Sequence, residues 1–201
     1  MKHNKEKTVR LTQLGLLSAV ILIMSFTPLG YLRIAALEIT FITVPVAVGA
    51  IVLGPVSGAV LGAVFGLTSF ATCFGTSAFG ATLLSINALA TFAVCVIPRV
   101  LAGLLCGYAF HAFTKAKPVS PVTLFACALS CPLLNTLFFM GGLVLCFYNT
   151  PYIQSFAQAL GATNPFTFIL LFVGVQGLVE AVVCCLLAGF ISKALIRYRT
   201  K

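Results

Sequence analysis

Charged residues inside apolar segments are the strongest candidates for chemistry in this chain. Glu180 lies in the middle of VGVQGLVEAVV, and Gln176 precedes it by one helical turn on the same face. Arg99, in VIPRVLAG, interrupts another apolar run. Because an ionised side chain is costly in the bilayer interior, both charges should face the inside of the protein and meet a partner. We therefore predict an Arg99–Glu180 pair, which is either purely structural or part of the wall of a substrate cavity.

Further polar residues suggest where such a cavity would open. Asn135 lies in CPLLNTLFF, where either a helix–helix hydrogen bond or a ligand contact would explain it. Asn87 and Thr40 fall at the predicted outer ends of two helices. In a compact helical bundle these groups would converge on one outer mouth, as a mostly apolar pocket with a few hydrogen-bonding groups. We predict a substrate site formed by Arg99, Asn135, Gln176, Glu180, Asn87 and Thr40.

The sequence argues against catalysis. It contains no HExxH, no GxSxG and no pair of glutamates, and only three acidic residues occur in the whole chain. His111, beside a basic loop, is best explained as an interfacial residue. There is no GxxxxGK[ST] motif, so ATP-driven work would have to come from partner proteins. We expect no catalytic residues and no cofactor.

The cysteines do not form a recognisable metal site. There are eight of them, yet no CxxC pair occurs, and neither histidine lies beside a thiol at ligand spacing. In apolar segments cysteine behaves as a small hydrophobic residue. Metal binding and a disulfide framework are therefore not expected.

The amino-acid composition indicates the class of protein to which these polar groups belong. Hydrophobic residues make up 61% of the chain and charged residues 7%, with a mean hydropathy of +1.15. Soluble domains are about 25% charged, so this is an integral membrane protein. At about 20 residues per spanning helix, 201 residues allow roughly six spans and no separate soluble domain. We predict an all-α bundle of six transmembrane helices in one domain, 1–201, with the first span retained.

The net charge of +9 reports topology and does not indicate nucleic-acid binding. Basic residues cluster in an N-terminal tail (1–10), at Lys115 and Lys117, and in a C-terminal tail (193–201). If all three clusters are cytoplasmic, an even number of spans separates each from the next. Four and two spans satisfy this condition, which places both termini in the cytoplasm.

The apolar runs give approximate boundaries for the six spans. Gly54, Gly58, Gly62 and Gly66 recur every four residues, which predicts one helical face that packs closely against another backbone. A Gly54-Pro55 turn joins the second and third spans in a tight hairpin. The segments TCFGTSAFGATLLS and YNTPYIQSFAQALGATNP are interpreted as outer loops. The predicted spans are Leu11–Pro28, Ile39–Leu53, Val56–Ala71, one ending near Phe113, one ending near Phe147, and Phe166–Ser192.

In their order and amino-acid sequence, these segments resemble the substrate-binding S component of energy-coupling factor (ECF) vitamin transporters. The likeness extends over nearly the whole chain and is carried by LGLLSAV, PLGYLRI, ITFITVPVAVGAIVLGPVSGAVLGAVFGLTS, PRVLAGLLCG, LLNTLFFMGG and QGLVEAVV. Within the family, TVPVAVGAIVLGP together with NTLFFMGG is most similar to the pantothenate type.

The resemblance implies a vitamin-binding subunit in the cell membrane of a prokaryote, surrounded by lipid. It implies that Gly15 and Ala19 dock onto a transmembrane coupling subunit driven by two cytoplasmic ATPases. The family usually has alanine at both positions, and glycine at 15 keeps the close approach. It also implies that the loop carrying Tyr31 and Leu32 acts as a lid, and that the whole subunit topples in the membrane.

Other functions remain open at the level of sequence. Another vitamin, such as riboflavin or folate, would suit the same fold. A self-sufficient secondary transporter would usually show inverted repeats and matching broken helices, neither of which is evident. A membrane scaffold would need neither a buried Glu180 nor a polar outer mouth.

Overall fold

The computed structural model describes residues 2–27, 30–34, 37–116 and 120–199. Their elements, in chain order, are α1 (Lys2–Ser25), β1 (Tyr31–Ile34), β2 (Leu37–Thr40), α2 (Thr43–Leu53), α3 (Pro55–Thr72), α4 (Ala78–Ile86), α5 (Ala88–Ala116), α6 (Pro121–Phe147), α7 (Pro151–Ala159) and α8 (Pro165–Arg199). The predicted helical membrane bundle is confirmed. The segments 2–10 and 193–199, which contain the terminal basic residues, are helical and form part of α1 and α8.

Five of the described helices, α1, α3, α5, α6 and α8, are long and apolar enough to cross a membrane. The predicted second span is shorter than expected, because α2 has 11 residues and a length of about 16 Å. A hydrocarbon core is about 30 Å thick. All but one of the α2 residues are buried, so this helix packs inside the bundle.

A small β-hairpin precedes α2 and explains why that helix is short. β1 pairs with β2 in antiparallel register, with Tyr31 opposite Thr40 and Ile34 opposite Leu37. The prediction that a helix begins at Ile39 is therefore wrong. Residues 37–40 pair their backbone groups with β1, so this segment satisfies its hydrogen-bonding groups without forming a helix.

The glycine face of α3 packs directly against the backbone of α5. A Cβ at Gly58 would contact Gly103 O, and a Cβ at Gly62 would contact Arg99 O. At Gly66 it would lie 2.7 Å from Val96 Cα. Gly54 is not part of this face, because it forms the turn before α3 with φ of 97°. Three glycines thus allow the two helices to touch backbone to backbone.

Two segments predicted as outer loops contain short helices. Ser77 caps α4 by accepting a hydrogen bond from Gly80 N at 3.1 Å, and Thr150 caps α7 by accepting one from Ile153 N at 3.4 Å. Pro151 follows Thr150 at the first helical position, where a missing N–H costs little. Helix α8 is interrupted at Gly174, where φ is 46° and ψ is −145°.

Hydrophobic residues form two separate buried clusters. The first joins α1, α2, α3, α5, α6 and α8 around residues such as Ile42, Val48 and Leu61. The second joins α4, α5, α6, α7 and the beginning of α8 around Leu143, Phe147 and Phe168. A large cavity lies against members of both clusters.

Candidate binding cavity

The cavity has a volume of about 1280 Å³ and is partly open to the surface. Arg99 from α5, Asn135 from α6, Glu180 from α8 and Thr40 from β2 all line it. Four residues that the sequence predicts as a site are thus brought together from four elements. Typical small-molecule pockets have volumes of about 300–1000 Å³, so this one is roomy.

Arg99 is buried in the cavity wall with its guanidinium held from several sides. Its side chain is only 8% exposed, and Nη1 donates a hydrogen bond to Val94 O at 2.7 Å. The guanidinium carbon lies 4.5 Å from the centroid of the Phe139 ring and 5.4 Å from that of Phe65. Cation–π contacts of this kind strengthen when water is excluded. The fold therefore fixes a positive charge at the cavity wall.

Asn135 presents a buried acceptor to the same space. The residue is 9% exposed, and its Oδ1 has no hydrogen-bond partner within the described part of the chain. A buried polar atom without a partner costs about 1–3 kcal/mol. A ligand that donates a hydrogen bond to Oδ1 would recover that cost.

Glu180 connects α8 to the base of the β-hairpin. Its Oε2 accepts a hydrogen bond from Thr40 N at 3.3 Å. One turn later, Cys184 Sγ lies 3.5 Å from Thr40 O and 3.1 Å from Thr43 Oγ1. The end of β2 is therefore attached to α8 through both of the backbone polar groups of Thr40.

The predicted Arg99–Glu180 pair is not present as a direct salt bridge between these two described side chains. Each group has its own contact, to Val94 O for Arg99 and to Thr40 N for Glu180. An arginine and a glutamate thus line one cavity, each held by its own contact to a described backbone group.

An aromatic wall, which the sequence analysis missed, completes the cavity. It consists of Phe79, Tyr152, Phe156 and Phe172, whose ring centroids lie 5.2–6.1 Å apart in successive contacts. All four rings line the cavity. The wall comes from α4, α7 and the part of α8 before Gly174, two of which were interpreted as loops. Phenylalanine in an apolar chain carries no signal by itself, so only the recognition of these helices could have indicated it.

Other predicted site residues are placed elsewhere or cannot be placed. Asn87 is exposed and caps α5 by accepting a hydrogen bond from Ala90 N at 3.0 Å, and it does not line the cavity. Tyr31 and Leu32 belong to β1, but their side chains lie outside the described residues, as does the side chain of Gln176.

A family model described as "ECF transporter, substrate-specific component" matches residues 9–192, most of the chain. The chain belongs to this family. The comparison with individual curated proteins gave no match. The protein is therefore the S component of an ECF transporter, a non-catalytic subunit that binds substrate in a prokaryotic cell membrane and works with an ECF module.

The first helix of this S component presents the predicted docking residues at its surface. Gly15 and Ala19 are both exposed on α1. Among the described residues nothing lies within 4 Å of the position that a Cβ on Gly15 would take. Large exposed side chains flank them, including Leu16 and Ile23. This face is open to lipid or to a partner protein.

Proposed function

We propose that this S component binds pantothenate in the cavity and delivers it inward. The observation that carries the proposal is that the buried Arg99 guanidinium lines the cavity together with a buried acceptor, Asn135 Oδ1, for which the described residues provide no hydrogen-bond partner. Pantothenate offers a carboxylate for the first and amide and hydroxyl donors for the second. The segments TVPVAVGAIVLGP and NTLFFMGG, which resemble the pantothenate type of S component, support the same vitamin.

The ligand's polarity suggests how it lies in the cavity. A guanidinium binds a carboxylate with two parallel N–H bonds, which gives orientation as well as affinity. With the carboxylate at Arg99, the hydroxyl groups at the other end of the ligand can donate to Asn135 Oδ1 or to Glu180. This orientation keeps the ligand's negative charge on the cation and leaves Glu180 to accept hydrogen bonds.

We propose the transport cycle that membership in the S component family implies. The exposed face with Gly15 and Ala19 docks onto the transmembrane coupling subunit, and two cytoplasmic ATPases supply the energy. Both termini lie in the cytoplasm, and the cavity opens outward before the subunit topples. The β-hairpin that carries Tyr31 and Leu32 acts as the lid, and Glu180 holds its base through Thr40 N.

A ring-containing vitamin such as riboflavin or folate is the second candidate. The aromatic wall favours it, because stacked or edge-to-face contacts with a planar ring are worth about 0.5–1.5 kcal/mol each beyond burial. The large cavity volume favours it as well. Membership in the S component family favours either vitamin over a self-sufficient secondary transporter or a scaffold.

The experiment is equilibrium binding of radiolabelled pantothenate, riboflavin, folate and thiamine to the purified protein. We expect saturable binding of pantothenate that unlabelled pantothenate displaces and the other vitamins do not. Binding of riboflavin or folate instead would select the second candidate. Uptake in cells that stops when ATP is depleted, together with co-purification of a coupling subunit and ATPases, tests the rest of the proposal.

A further inference from the structure

Helix α8 contains a break, and residues on both sides of it line the same cavity. At Gly174 the backbone has φ of 46° and ψ of −145°, far from the values of an α-helix. Phe172 and Val173 line the cavity just before this residue, and Gly177 and Glu180 line it just after. The backbone direction at one residue thus determines how two parts of the cavity wall meet.

The two parts of α8 belong to different hydrophobic clusters. The part before Gly174 packs through Phe168 and Phe172 in the second cluster, together with α4, α6 and α7. The part after it packs through Cys184 in the first cluster. The stretch Gly177–Tyr198 is by itself long and apolar enough to cross a membrane. The first part is therefore not needed to span the membrane, and its Phe172 ring belongs to the aromatic wall.

The break requires glycine because of its backbone conformation and not because of crowding. Residues with a side chain rarely adopt a φ of 46°, whereas glycine adopts it readily. Among the described residues nothing lies within 4 Å of the position that a Cβ on Gly174 would take. At Gly177 the situation is reversed, because a Cβ there would meet Val173 Cγ1 from the other side of the break. Position 174 thus needs a particular conformation, and position 177 needs space.

We propose that Gly174 is a positioning residue for substrate binding, because its non-helical backbone directs the first part of α8 so that Phe172 completes the aromatic wall. This role rests on the proposed function, since the cavity must be the substrate site for the wall to act in binding. The Phe172 ring centroid lies 6.0 Å from that of Phe79 and 6.1 Å from that of Phe156. Alanine at position 174 favours the ordinary helical conformation. Straightening the break would change the direction of this segment and disrupt both ring contacts.

The test compares L-alanine and D-alanine at position 174 of the full-length protein. Residues 1–145 are ligated to a synthetic segment 146–201 that begins with the native Cys146, and the glycine protein assembled in this way is the reference. Reversing the signs of φ and ψ at Gly174 gives an extended conformation close to polyproline II, which L residues adopt readily. D-alanine, as the mirror image, therefore fits the observed conformation, whereas L-alanine does not. Both add the same methyl group.

Equilibrium binding is measured with whichever of the four radiolabelled vitamins binds the reference protein. We expect Gly174→Ala to lower the affinity at least about tenfold, and D-alanine to keep it within about twofold of the reference. Gly141→Ala is the matched control, because Gly141 lies within α6 and also has nothing in the described part of the chain within 4 Å of its Cβ position. This control should bind as the reference does.

Normal affinity in Gly174→Ala would overturn the proposal. An equal loss with D-alanine would do the same, since the effect would then come from the methyl group, and so would an equal loss in Gly141→Ala. If no vitamin binds the reference, the proposed function fails, and near-ultraviolet circular dichroism of the Phe and Tyr rings still tests the conformation in this chain without tryptophan. D-alanine should keep the reference spectrum and Gly174→Ala should lose intensity, whereas identical spectra for the two would contradict the positioning role.

Discussion

Replacing Gly62 by alanine should both destabilise the protein and weaken substrate binding. The added Cβ would contact Arg99 O and would lie 2.7 Å from Arg99 C and 3.1 Å from Val100 Cα. These are backbone atoms, so α3 and α5 must separate. Overpacking of this kind costs about 1–3 kcal/mol. Because the displaced backbone carries Arg99, the guanidinium would also move relative to Val94 O and the Phe139 ring.

The matched control is alanine at Gly15, where nothing among the described residues lies within 4 Å of the new Cβ. Thermal unfolding and pantothenate binding are measured for G62A, G15A and the wild type in the same detergent. G15A should stay within about 0.5 kcal/mol of the wild type. For G62A, each 1.4 kcal/mol of binding energy lost lowers affinity about tenfold. A G62A protein with wild-type stability, or a G15A protein destabilised as much as G62A, would refute the packing argument.

Substitutions at three further positions test separate parts of the account. Asn135→Leu should weaken pantothenate binding but leave the ligand-free protein at least as stable as the wild type, because it removes a buried acceptor that costs about 1–3 kcal/mol. A large drop in melting temperature would instead indicate that the amide has a structural role. Glu180→Ala should speed hydrogen exchange at the Thr40 amide, whereas Glu180→Gln, which keeps an acceptor oxygen, should not. Equal exchange in both variants would contradict a protective hydrogen bond from Thr40 N to the side chain at position 180. Ala19→Leu, which fills the exposed face beside Gly15, should abolish co-purification of the coupling subunit without changing vitamin binding, and normal assembly would count against that face.

Much of the fold could be predicted because its signals are local. The run of apolar residues defines α3, and the Gly54-Pro55 turn fixes where it begins. The glycine spacing correctly indicates a close-packed face, although the partner helix could not be identified from spacing. The β-hairpin could not be predicted, since its four-residue strands depend on pairing and on the bond from Thr40 N to Glu180, 140 residues away.

The candidate site was predictable only where a residue is out of place in an apolar segment. Arg99, Asn135 and Glu180 stand out because burial of polar groups in a membrane is costly, and all three line the cavity. Asn87 stands out equally, but its amide caps α5. The aromatic wall gave no local signal. Only the packing of several helices shows that these residues share a cavity.

The most direct test of the central claim is the affinity of radiolabelled pantothenate for the wild type and for Arg99→Ala, measured at equilibrium with both proteins folded. The account predicts saturable binding by the wild type. For the variant it predicts a loss of at least about a hundredfold, since a charge-assisted bidentate contact is among the stronger hydrogen-bonding interactions. Near-normal binding of pantothenate by the folded Arg99→Ala protein would contradict the claim that this buried cation receives the ligand's carboxylate.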